Sequence, residues 1–283
     1  MTRFIESNRV NILVIAHYEP EGKLRFDTLN AILAATAFFD KIYFVSTNLS
    51  DEEVDKLPSS VSCVRRENFG YDFYSYREGI LLALKMFDFQ KDVQSLTLMN
   101  SSFLVMDPQR FFRNVTSFFD SAADFCCGAT KSFDISEHLQ SYLLTFNSTL
   151  LANKNFIDWW RNMKPINDKR EVIINYEVGL SVFLRELDFK LYAPITGNST
   201  RNPSHEYYVE LLELFGIVKF ELIKKNPAQV NLHVLISRIC KEKHFRKILF
   251  KSLNYKSIFL RAAMRVRLSI LRGLGKFLLQ RVL

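Results

Sequence analysis

The chain has 283 residues, 48% of them apolar, with 38 Lys or Arg against 30 Asp or Glu for a net charge of +8. That much apolar material can build one large domain, or a domain with an appendage. No stretch approaches the roughly 20 charge-free apolar residues of a spanning helix, and the early run at 12–16 is too short for a signal peptide, so a cytoplasmic protein is expected.

Residues 10–18 form a continuous apolar run suited to a fully buried parallel strand. Leu24, Leu29, Ile32, Leu33 and Phe38 then mark a helix, and residues 41–46 a second strand. Residues 61–64 read as the third strand, with 72–87 as its helix, where Tyr76, Ile80, Leu84 and Phe87 keep helical spacing. Residues 95–99 are the fourth strand, 108–119 a helix and 124–129 a fifth strand, along which Cys126 and Cys127 alternate. The four cysteines have neither zinc-ligand spacing nor a C-x-x-C pair and read as buried thiols. A further strand at 141–146, a helix at 156–163, another at 176–187 and a short strand at 189–192 complete the pattern. This alternation predicts an α/β fold, a mostly parallel sheet flanked by helices on both faces.

Charge divides the chain unevenly. Residues 241–283 hold twelve Lys or Arg and one acid, Glu242, so this tail carries +11 and residues 1–240 carry −3. Together with the polar cluster at 196–204, this places a boundary between 200 and 240, with a helical C-terminal extension over 201–283. Within it, Arg261, Arg265, Arg272 and Lys276 share a helical wedge of about 60°, opposite Phe259, Ala263, Val266, Ile270, Leu274 and Phe277. Residues 256–283 thus read as a basic amphipathic helix suited to an anionic membrane surface. A helix docked on the protein's own core would show the same pattern. No zinc, RNP or helix-turn-helix pattern accompanies the basic residues, so nucleic acid is not the expected partner.

The junction between the third strand and its helix is the most informative segment. It reads Arg66-Glu67-Asn68-Phe69-Gly70-Tyr71-Asp72-Phe73-Tyr74-Ser75-Tyr76-Arg77-Glu78-Gly79, with Asn68 and Gly70 as turn residues and Asp72 in the first helical turn. A helix N-terminus at the carboxyl edge of such a sheet is a binding position, although an acid-capped glycine turn would leave the same pattern. The segment resembles the signature of the rhamnan synthesis protein F family, bacterial glycosyltransferases of cell-surface polysaccharide assembly. Further segments resemble the family in order: Ala16-His17-Tyr18, Leu98-Met99-Asn100-Ser101-Ser102, Gly128-Ala129-Thr130, His138-Leu139-Gln140-Ser141-Tyr142 and Tyr176-Glu177-Val178-Gly179-Leu180-Ser181.

The resemblance implies a GT-A-like glycosyltransferase domain over 1–200, with a nucleotide-binding half at about 1–105 and an acceptor and sugar half at 106–200. It implies a nucleotide-sugar donor, dTDP-L-rhamnose in the name-bearing members, and a lipid-linked glycan acceptor such as O-antigen, rhamnan or capsule. The protein is then expected to work peripherally on the inner face of the bacterial cell membrane. In an open sheet the donor lies across the strand carboxyl ends, so His17, Tyr18, Thr47, Asn68, Gly70, Asp72, Asn100 and Ser102 are the donor-binding candidates. A hydrogen-bonded strand-end histidine is the plainer account of His17.

Asn100-Ser101-Ser102 stands where such enzymes carry Asp-x-Asp, and it offers only neutral oxygens to a hard cation. Dependence on Mg²⁺ or Mn²⁺ is therefore open: Asp72 or Asp107 supplies the missing charge, or Arg, Lys and backbone N–H groups stabilise the leaving group. Glu177, at the start of an expected helix, is the first candidate base, and Asp124 the second. An acid in a first helical turn is also favoured by the helix dipole alone. His138, Gln140 and Ser141 carry groups suited to sugar hydroxyls, while Trp159 and Trp160 read as core. A non-catalytic scaffold of a polysaccharide assembly complex is the alternative function.

Overall fold

The apolar run near the start of the chain becomes β1 (Val10–His17), at the heart of a seven-stranded sheet. The computed structural model describes residues 9–120, 125–198 and 201–239, together with Lys241 and Phe245. Ile12, Val14 and Ala16 of β1 enter one core and Leu13 and Ile15 the other. With both faces covered, a polar alternation would have buried unpaired groups, which is why the run is continuously apolar.

The chain continues through α1 (Phe26–Ala35), β2 (Lys41–Ser46), α2 (Asp51–Val54), β3 (Val61–Arg65), α3 (Tyr71–Met86) and β4 (Val93–Asn100). β2 and β4 flank β1 in parallel, and β3 lies outside β2. α1 packs on the Leu13 face and α3 on the Ile12 face. The two crossovers thus cover opposite sides of the sheet, which makes the carboxyl ends of β1 and β4 its topological switch point.

β5 (Phe103–Val105), α4 (Pro108–Asp120), β6 (Phe125–Gly128), β7 (Thr130–Ser132), β8 (His138–Leu139), β9 (Leu143–Asn147), α5 (Ser148–Leu151) and α6 (Lys154–Arg161) follow. β9 runs antiparallel between β4 and β6, and β10 (Lys190–Tyr192) lies parallel to β6. The order is β10-β6-β9-β4-β1-β2-β3. The protein is a mixed α/β fold with a largely parallel sheet flanked by helices. Cys126 and Cys127 face opposite cores, as their alternation in β6 requires, and Trp160 is fully buried against Phe73.

One helix differs from its sequence reading. The helix expected from Tyr176 begins seven residues earlier as α7 (Lys169–Val172), where the Asp168 carboxylate accepts the Glu171 N–H. It then passes through a π-helical turn, Ile173–Val178, into α8 (Gly179–Glu186). Glu177 is therefore mid-helix, and the dipole at a helix start does not account for it.

After β11 (Ile195–Thr196) come α9 (Pro203–Glu206), α10 (Tyr208–Leu214), β12 (Ile217–Lys219), α11 (Phe220–Lys225) and α12 (His233–Ile239). Leu211, Phe215 and Ile217 share a core with α1 and α4, and β12 pairs antiparallel with β5, setting Lys219 opposite Phe103. Asp124, Cys240 and the basic segment 256–283 lie outside the described residues. Among the described residues no helix is long and apolar enough to cross a membrane.

The seat of α3 depends on Gly79. A Cβ there would lie 2.4 Å from Val14 Cγ1, so only glycine lets the helix ride this close to β1. Gly79→Ala is expected to cost about 1–3 kcal/mol by overpacking, read as a lower urea midpoint. An unchanged midpoint would show that α3 does not need this approach.

Candidate functional site

A cleft of about 350 Å³ lies at the carboxyl edge of the sheet, lined among others by His17, Tyr18, Thr47, Arg66, Asn68, Gly70, Asp72 and Asn167. Six donor-binding candidates, contributed by the ends of β1 and β2 and by the β3–α3 turn, therefore share one wall. The two others, Asn100 and Ser102, adjoin them through Asp72. The Asn100 side-chain amide donates to Asp72 Oδ2 at 2.6 Å, and Asn100 Oδ1 accepts the Ser102 N–H at 3.0 Å.

The turn that carries Gly70 and Asp72 is held by Arg66. Its guanidinium donates to the carbonyls of Glu67, Phe69 and Tyr71 and to Ser75 Oγ. Gly70 has φ +68°, and a Cβ there would meet Tyr74 Cβ at 2.7 Å, so the position requires glycine. Gly70 N–H donates to Asn167 Oδ1 from the loop before α7, which brings that loop over the turn. The marked positions of the sequence signature thus divide the work of building this corner. Arg66 clamps the turn, Gly70 makes it, Ser75 receives the clamp, Tyr76 donates to the Ser141 carbonyl, and Gly79 seats the helix.

Three groups on the wall are left with something to give. His17 is 1% exposed; its Nδ1 pairs with Ser46 Oγ at 2.9 Å, while its Nε2 is buried with no partner among the described residues. Thr47 Oγ1 is likewise buried and unpartnered. Buried polar atoms are rarely left so, and a ligand in the cleft would satisfy both. Asp72 has its carboxyl pushed above the usual range by burial, against the amide of Asn100 and the charges of Lys219 and Arg66.

Lys219 was not among the sequence candidates. β12 carries it to Ser102, whose Oγ accepts from its Nζ, and the ammonium lies 4.2 Å from the Tyr142 ring centre. Burial pushes its amine down to about 8, although the nearby Asp72, Glu177 and Glu221 carboxylates oppose the shift. Nothing local in the sequence announces it, because its neighbours on the site come from residues 72, 102 and 142.

Glu177 stands beside this cluster. Its Oε2 accepts the Ser141 N–H at 2.8 Å and the Ser141 hydroxyl, and Oε1 faces His138 Nε2 at 3.7 Å. The π-helical turn that presents it is a local widening often found at functional sites. The expected sugar-pocket residues are largely committed to the protein. His138 is 1% exposed, with Nδ1 on the Ser136 carbonyl. Gln140 accepts from Thr130 and donates to Asn202, and Ser141 is held at both its N–H and its hydroxyl. They support Glu177 and the β7–β9 segment rather than lining an open wall.

Asp107 is also spent elsewhere: it accepts the Arg110 N–H at the start of α4 and pairs with the Arg110 side chain. Among the described residues no group of three or more His, Cys, Asp or Glu is arranged to hold a metal. Among the described residues Asp72 is the one carboxylate in the lining of the cleft.

Comparison with known proteins matches residues 42–206 to the rhamnan synthesis protein F family. An uncharacterized protein, y4gN, of Sinorhizobium fredii is 33% identical over 163 residues, covering 53% of this chain and 42% of that protein. The virulence protein VirA of Vibrio anguillarum is 26% identical over 200 residues, covering 58% of this chain and 62% of its own. The chain thus matches about half the length of these relatives. Among solved structures, the glycosyltransferase GlyE of Streptococcus pneumoniae aligns with a TM-score of 0.44 at 14% identity, over 87% of this chain and 60% of that one.

The cleft wall makes stability sensitive to acid. Burial, and then the charge of Arg25, push the His17 imidazole down to about 3 from 6.5. Between these values the unfolded chain takes up a proton that the folded chain refuses, so stability falls as pH drops through that window, by up to about 1.4 kcal/mol per pH unit from this group. Urea titrations are expected to show a shallower acid loss for His17→Asn than for the wild type. Parallel curves would mean that the ring protonates freely in the fold.

Proposed function

The chain belongs to the rhamnan synthesis protein F family, and from that premise we propose that it is a glycosyltransferase whose nucleotide-sugar donor occupies the cleft beside His17, Thr47 and Asp72. The family supports the glycosyltransferase role, and the observation that carries the placement is the pair of buried atoms, unpartnered among the described residues, His17 Nε2 and Thr47 Oγ1, at the carboxyl edge of the sheet. The name-bearing members of the family favour dTDP-L-rhamnose as the donor and a lipid-linked cell-surface polysaccharide as the acceptor.

In the transfer, an acceptor hydroxyl attacks the anomeric carbon, the bond to the diphosphate breaks, and the hydroxyl proton passes to a carboxylate. Glu177 is the proposed base. Its Oε2 is fixed by Ser141, and Oε1, 3.7 Å from His138 Nε2, is the oxygen proposed to receive the proton. A divalent ion bound here would rest on Asp72 and on the substrate's own phosphates, and it would offset charge on the leaving diphosphate.

Glu177→Gln keeps an oxygen for the Ser141 N–H and hydroxyl and removes the base, so the fold should persist. Transfer to an isolated lipid-linked acceptor is expected to fall by about 10²–10⁴ in kcat. Unchanged transfer or polysaccharide production would remove Glu177 from the chemistry and favour a binding role for the protein.

The tail's charge and apolar pattern support peripheral attachment at an anionic membrane, which would hold the enzyme beside a lipid-linked acceptor. Full-length protein is expected to float with vesicles containing anionic lipid, and protein ending at residue 240 to stay behind. Equal flotation of the two would sink the membrane role.

A further inference from the structure

The cleft has cations around it, but most are already committed. Arg66 spends its donors on the carbonyls of its own turn and on Ser75. Arg25 donates to Asp27 and to the carbonyls of Ser101 and Phe103, tying the loop after β1 to the loop after β4. Lys219 differs: among the described residues its Nζ makes one hydrogen bond, to Ser102 Oγ, and otherwise faces the Tyr142 ring. An ammonium carries more donors than that.

Its position is fixed from several sides. β12 pairs with β5 directly after Ser102, and the Phe220 N–H donates to the Ser102 carbonyl at 3.0 Å. From Lys219 a continuous chain of hydrogen bonds runs through Ser102 and Asn100 to Asp72 in the cleft wall. A diphosphate approaching Asp72 alone would meet a like charge, and the loop after β4 offers it only neutral oxygens. The nearby ammonium offsets that charge and gives the anion a cation to meet.

Resting on the donor-site reading above, we propose that Lys219 contacts the diphosphate of the bound donor and stabilises the nucleoside diphosphate as it leaves. Ser102 holds the ammonium in line, and the Tyr142 ring face receives it from the other side. The positive charge that transfer requires is then supplied by a residue on β12, beyond the stretch 42–206 that matches the family. The unpartnered His17 Nε2 on the same cleft provides an independent sign that a ligand belongs there.

The test reads the amine directly. Full-length protein is acetylated with acetic anhydride at pH 8, and modification of Lys219 is followed by peptide mass spectrometry with and without inorganic pyrophosphate, UDP or dTDP. Pyrophosphate is expected to protect Lys219, and calorimetry is expected to give about tenfold or weaker affinity for Lys219→Met, with recovery in Lys219→Arg. No protection by pyrophosphate, or equal affinity of wild type and Lys219→Met, overturns the assignment, as does binding that requires added Mn²⁺ to the same extent in both. Protection by pyrophosphate with no gain from either nucleoside diphosphate supports the anion site at Lys219 and counts against the nucleotide-donor reading, so the two fail separately.

Discussion

The hydrogen bond from the Asn100 amide to Asp72 Oδ2 joins the end of β4 to the start of α3 at the carboxyl edge of the sheet. Much of the site depends on it. Burial raises the Asp72 carboxyl, and the amide, together with the charges of Lys219 and Arg66, offsets that cost. Asn100 can serve because its own oxygen is occupied by the Ser102 N–H and hydroxyl, which sets the amide's direction. Through this contact the loop after β4, the first turn of α3 and β12 act as one unit.

Around that unit most polar groups hold other groups in place. Arg66 and Arg25 bind backbone carbonyls; Tyr76 binds the Ser141 carbonyl, and Ser141 in turn binds Glu177. Such supports lower the freedom of the groups beside them, among which His17 Nε2 and Thr47 Oγ1 are buried without a partner among the described residues. A site arranged before its ligand arrives loses less free energy in ordering itself when the ligand binds, and its dipoles already point where charge will develop.

The α/β rhythm was legible because burial of both sheet faces leaves continuous apolar runs at 10–18 and 41–46, with helical spacing between them. The β3–α3 turn was legible for a related reason: Gly70 at positive φ and the acid two residues on leave a local mark. The antiparallel sense of β9 was not, since direction in a sheet depends on the partner strands β4 and β6. The start of the helix bearing Glu177 was missed because the apolar residues of 169–175, Val172, Ile173 and Ile174, form one β-branched run without helical spacing.

The sequence by itself determined the α/β architecture and the glycine-dependent turn at the carboxyl edge of the sheet, since these follow from local periodicity and backbone sterics. Only the tertiary structure decided which side chains stay available there. His138, Gln140 and Ser141 were drawn into supporting bonds, Asp107 into a helix cap, and Lys219 was brought from residue 219 to Ser102 by the pairing of β12 with β5. Hydrogen-bond partners separated by more than a hundred residues are chosen by strand pairing and packing, which no local pattern records.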